Sequence, residues 1–72
     1  MNKNYFVSIM KLHGDNQVDV AKFIGISLQA FNAKLNETGG AEFTQSEIRK
    51  IKLKYNLTPE QVDAIFFAEN VA

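Results

Sequence analysis

Four carboxamides stand between residues 17 and 36, at Gln17, Gln29, Asn32 and Asn36. The last three are spaced by three and four residues, so on a helix they share one side. An amide carries a donor and an acceptor side by side, so such a row recognises a matching hydrogen-bonding edge, adenine's among them. Leu28 and Ala33 lie within the row and add a small alkyl surface. That surface suits a thymine methyl or the apolar middle of a protein interface. Four carboxylates bracket the row, Asp15 and Asp19 before it and Glu37 and Glu42 after it. This is recognition chemistry. For catalysis the chain offers no Gly-rich phosphate loop, no paired catalytic carboxylates and no nucleophile beside a base. His13 is the lone histidine and Cys is absent, so neither an imidazole nor a thiolate metal site can be assembled. The expectation is a non-enzyme without metal, cofactor or small-molecule ligand.

The elements that must carry the row lie between Gln17 and Leu35. Val20 and Ile24 are four apart, as are Phe31 and Leu35, which gives two short helices with one apolar face each. Ala21 is small where the helices cross. Gly25 falls where the first must end with a positive φ, which costs a glycine little. Ile26 plugs the gap under the turn, and Ser27 is a good N-cap for the second helix. The pattern is that of a helix-turn-helix, whose second helix is the reader.

Around this pair the remaining segments read as three more helices. Lys3–His13 places Phe6, Ile9, Met10 and His13 on one face and stops at Gly14, and Asn16 with Asp19 caps the next helix. Residues 36–43 form a loop that turns at Gly39-Gly40. Thr44 to Glu47 is a capping box opening a fourth helix with Ile48, Ile51 and Tyr55 inward. Thr58-Pro59-Glu60-Gln61 opens a fifth, with Val62, Ile65 and Phe66 inward and Phe67 and Val71 left over. Phe66 and Phe67 cannot both point inward; the second ring either covers Leu53 and Leu57 or joins a homodimer surface. The expected fold is all-α, a compact five-helix bundle in a single domain over residues 1–72.

Bulk composition agrees. Apolar residues make up 46% of the 72, enough for one core without staples. The apolar run Tyr5–Met10 is broken by Ser8, too short for a membrane span and unlike a signal peptide. Eight basic residues balance eight acidic ones, for a net charge of zero. DNA-binding domains ordinarily carry a basic excess, since phosphate neutralisation supplies much of their affinity.

On Gln17, Ala21, Gly25, Ile26, Phe31 and Asn32, the chain resembles the Cro and repressor family of phage helix-turn-helix regulators, over nearly its whole length. It also resembles a narrower group, the modulators of repression, short antirepressors of temperate phages of Gram-positive hosts. The first resemblance implies a lambda-repressor-like fold in which Gln17 bonds a phosphate. The third helix then presents Gln29, Asn32, Ala33 and Asn36 outward, with Ser27 at its start and Leu28 on the shoulder. Lys34 is the only charge on that helix, and its helical angle points it away from the outward centre. Arg49, Lys50, Lys52 and Lys54 sit on the fourth helix, on a solvated face away from a groove. Asp15, Asp19, Glu37 and Glu42 fringe the reading face, where each carboxylate repels a nearby phosphate by about 1 kcal/mol at water-like screening. Weak DNA binding by the chain alone is therefore expected.

The second resemblance implies a partner: the N-terminal DNA-binding domain of a phage repressor, held as a one-to-one heterodimer in the cytoplasm of the bacterial host. The alternative is a Cro-like repressor that reads operator DNA directly through its third helix. Each residue also has a plainer role. Leu28 suits a core edge as well as a contact, Asp19 serves the helix N-terminus, Glu47 is a cap, and His13 is a helix-end residue rather than a ligand.

Overall fold

The computed structural model describes residues 1–68. Among these there are five α-helices and no strand: α1 Lys3–Leu12, α2 Gln17–Ile24, α3 Leu28–Leu35, α4 Gln45–Tyr55 and α5 Pro59–Phe66. A short 3-10 turn, Thr38–Gly40, follows α3. Val71, grouped above with the fifth helix, lies outside the described residues.

Each α-helix starts on a side chain that accepts a hydrogen bond from an otherwise orphaned backbone N–H. Asn2 accepts from Tyr5, Ser27 from Ala30, and Asn16, Thr44 and Thr58 complete reciprocal capping boxes with Asp19, Glu47 and Gln61. The helices stop as locally as they start. Gly25 closes α2 at φ +82°, and Asn56 closes α4 at φ +51°. Between α2 and α3 only Gly25, Ile26 and Ser27 intervene, and the Ile26 N–H returns to the Ala21 carbonyl at 3.0 Å. α2 packs against both α3 and α4, and α5 closes on α1 and α4.

The core is aromatic at its centre. Phe6 is wholly buried, and its ring lies 6.1 Å from that of Phe31, 5.9 Å from Phe43 and 5.5 Å from Phe66. Tilted and edge-on arrangements prevail, as ring quadrupoles favour. Val20, Ala21, Ile24, Leu35, Ile51 and Ile65 pack around these rings.

Several expectations are corrected. α1 ends at Leu12, and His13 is its C-cap, exposed, with its ring tilted against that of Tyr55 at 4.8 Å rather than set in the core stripe. Glu47 and not Ile48 is buried on α4; Ile48 is half-buried. Phe43 belongs to the core although it sits in a connecting segment. Leu57 is buried, whereas Leu53 (74% exposed) and Phe67 (60%) both face out, so neither shelters the other.

Two substitutions separate backbone from packing effects. No atom lies within 4 Å of a Cβ added at Gly25, so Gly25→Ala should cost only the left-handed backbone penalty, about 1–2 kcal/mol. Phe6→Ala should cost about 3–5 kcal/mol, on the order of the whole net stability of so small a core. Urea unfolding should therefore find the first variant folded with a lowered midpoint and the second largely unfolded in buffer.

Candidate interaction face

α3 buries Phe31 and Leu35, and that choice turns the other side of the helix to solvent. Leu28, Gln29, Asn32 and Asn36 are exposed there and Ala33 is half-buried. Leu28, Gln29, Asn32 and Ala33 line one open depression, joined by Thr38 from the turn beyond. Leu28 is 46% exposed and so does not close the edge of the core. Ser27 is exposed as well, but its Oγ is occupied as the N-cap, accepting from Ala30 at 3.0 Å.

The amides are joined to one another. Asn36 Nδ2 donates to Asn32 Oδ1 at 2.9 Å and to the Asn32 carbonyl at 2.9 Å, and Asn32 Nδ2 donates to Gln17 Oε1 at 3.0 Å. Lys3, from α1, donates to Asn36 Oδ1. An ammonium can only donate and a backbone carbonyl can only accept, so Lys3 and the Asn32 carbonyl both fix the same orientation of the Asn36 amide, and the ladder follows from it. Gln17 is left with its Nε2 hydrogens free to donate outward. Lys3 and Thr38 are the members of this face that sequence reasoning missed. Lys3 arrives from 33 residues away. Thr38 is aimed by left-handed φ at Glu37, Gly39 and Gly40, of which only the glycines signal themselves in the sequence.

Charge around the face is largely used inside the fold. Lys34 Nζ reaches both carboxylate oxygens of Glu47 at 2.7 Å. Glu47 Oε1 also accepts from the Thr44 N–H at 2.9 Å. Burial pushes the Glu47 carboxyl up, but the bonds from Lys34 and Thr44 outweigh it and hold the group below the usual carboxylate range. Asp15 accepts from the Tyr55 hydroxyl at 2.7 Å and lies 3.4 Å from Lys54. The Tyr55 bond lowers the Asp15 carboxyl, against burial and with help from Lys54. Burial, then Asp15, pushes the Tyr55 phenol well above its ordinary value. Asp19 exchanges 2.9 Å bonds with Asn16 in the capping box, and Glu37 meets the Met1 ammonium at 2.7 Å. Glu42 is exposed and holds no ion pair or hydrogen bond among the described residues.

The basic residues of α4 are a partial correction to the solvated face expected of them. Lys50 Nζ donates to the Ile24 carbonyl at the end of α2, and Lys54 lies 4.7 Å from the Phe23 ring centre as well as beside Asp15. Both therefore tie α4 to α2. Among the described residues no group of three or more His, Cys, Asp or Glu is placed to hold a metal, and no helix is long and apolar enough to cross a membrane. No protein-family model, curated protein or solved structure matches the chain.

The carboxylates give the fold an acid limit. Asp15 and Glu47 titrate lower in the folded chain than their ordinary values of 3.8 and 4.5. Their contribution is complete above those values and is lost as pH falls through the lower folded ones. Lys34→Met leaves Glu47 under its burial penalty alone, apart from its Thr44 bonds. It should cost about 1–3 kcal/mol at pH 7 and move the acid unfolding midpoint to higher pH, read by circular dichroism. Tyr55 has the opposite sign, its folded pKa being raised. Stability should fall above about pH 10, the ordinary phenol value, and Tyr55→Phe should remove that alkaline decline.

Proposed function

We propose that this chain is a phage antirepressor. Its α2–α3 pair acts as a lambda-repressor-like helix-turn-helix that docks on the DNA-binding domain of a repressor, one copy to one domain, and keeps that domain off its operator. The setting is the lysis–lysogeny switch in a bacterial cytoplasm. The observation that carries this reading is the fate of Lys34. It is the only cation on α3, and it is drawn inward onto Glu47. A helix that reads DNA needs positive charge directed at phosphate. This one instead offers Leu28 and Ala33 between neutral amides, an apolar middle with a polar rim. A repressor's reading face is obliged to be basic, and Glu42 on the flank is free to meet it.

A Cro-like direct reader is the second reading, and Lys3 favours it. Its ammonium lies at the Asn36 end of the ladder and supplies a cation from another helix. The amides themselves suit adenine edges.

One substitution moves the two readings in opposite directions. Leu28→Lys alters an exposed side chain and should leave folding intact. Against a basic protein surface it should weaken binding by about tenfold or more. Against DNA it should tighten binding and steepen the salt dependence by about one phosphate contact. Titrating the wild-type chain into a repressor–operator complex should release free DNA without a new protein–DNA band. A stable complex with operator DNA alone, weakening steeply with salt, would establish the direct reader instead.

A further inference from the structure

Adjacent residues of the turn after α3 line two different recesses. Thr38 lines the open depression on the α3 face, while its neighbour Glu37 lines a second, more enclosed recess. Phe43, Ile48, Phe66 and Phe67 give that second recess an apolar, mostly aromatic part of its lining, beside Met1, Lys34, Glu37 and Glu42. Its volume is about 150 Å³, well below the roughly 300–1,000 Å³ of small-molecule sites. It has room for one long side chain.

The charges around it decide which. Lys34 reaches this recess, but Glu47 cancels its charge, and the Met1 ammonium is cancelled by Glu37. Glu42 remains at the rim with no partner among the described residues, leaving one net negative charge. An anion would be repelled there. A purely apolar side chain would meet the apolar lining and leave Glu42 unanswered. A cation on an apolar stem answers both, because arginine and lysine lay their methylenes on apolar surface and keep the charged head at the edge. Aromatic faces beneath such a head add attraction.

We propose that this recess is a socket for one arginine or lysine side chain of the partner protein, with the stem on Phe43 and Ile48 and the head at Glu42. The identity of that partner rests on the antirepressor reading. Glu37 lines the socket and its neighbour Thr38 the α3 depression, so a basic protein seated on α3 meets the socket beside it. It makes Glu42 the specificity-determining carboxylate of the four that fringe the face.

The test is calorimetric binding of the repressor DNA-binding domain to wild type, Glu42→Gln and Glu42→Lys, with thermal unfolding to confirm that each variant is folded. Glu42→Gln should weaken binding by about tenfold and Glu42→Lys by more. One charge reversal among the arginines and lysines of the repressor's reading face should restore affinity to Glu42→Lys. Glu42→Gln binding within twofold of wild type, or no rescuing reversal, overturns the socket. If the wild type does not bind the repressor domain at all, the antirepressor reading fails, and the socket is then judged separately with N-acetyl-arginine amide as the probe. Shifts of the Phe43, Ile48 and Phe66 backbone NMR signals that Glu42→Lys abolishes support it, and unmoved signals overturn it. Light scattering that shows a dimer dissociated by Phe67→Ser overturns it in favour of a contact between two copies.

Discussion

The burial of Phe6 is the constraint on which the rest of the molecule depends. A chain of this length without disulfides has few large side chains from which to build an interior, and each must bury fully to matter. Phe6 joins rings from α3, from the segment before α4 and from α5. Its contact with Phe31 has the most direct consequence for the exposed side of α3. With Phe31 held inward, helical geometry sends Gln29, Asn32 and Asn36 the other way. The exposed amide face of α3 is thus the reverse side of an aromatic contact, and its orientation is secured from behind.

What was legible in the sequence follows from distance along the chain. The caps are contained within four residues, and four of the five were read: Asn16 with Asp19, Ser27, Thr44 with Glu47 and Thr58 with Gln61, whereas the Asn2 cap of α1 was not. Five all-α segments followed from them and from periodicity, as did the outward row on α3. Phe43 was not legible as core, because nothing local distinguishes it from the polar loop around it. His13 was misread by extending a helical stripe one residue beyond the helix. The Lys3–Asn36 and Tyr55–Asp15 bonds span 33 and 40 residues, and no spacing rule reaches that far.

Electrostatics shows the same divide. A count of carboxylates near α3 treats Asp15, Asp19, Glu37 and Glu42 alike. In the fold, the first serves a phenol and a lysine, the second a helix start and the third an ammonium. Only Glu42 keeps its charge unassigned among the described residues. Around α3, then, several formal charges are answered within the domain, and the local balance rather than the net charge is what a partner meets. Glu47 shows how much one side chain can carry, since it completes a cap, neutralises Lys34 and is itself nearly enclosed.

The N-terminal caps reach beyond stability into kinetics. Every α-helix among the described residues begins on a bond between positions three apart, so helix boundaries can form before any distant segment arrives. Helical domains dominated by such near-neighbour contacts fold on a microsecond-to-millisecond scale, because little loop-closure entropy precedes the first favourable contacts. A domain of this design assembles within a small fraction of the time needed to synthesise it at about 5–20 residues per second, so its folded concentration tracks its production with no delay from folding.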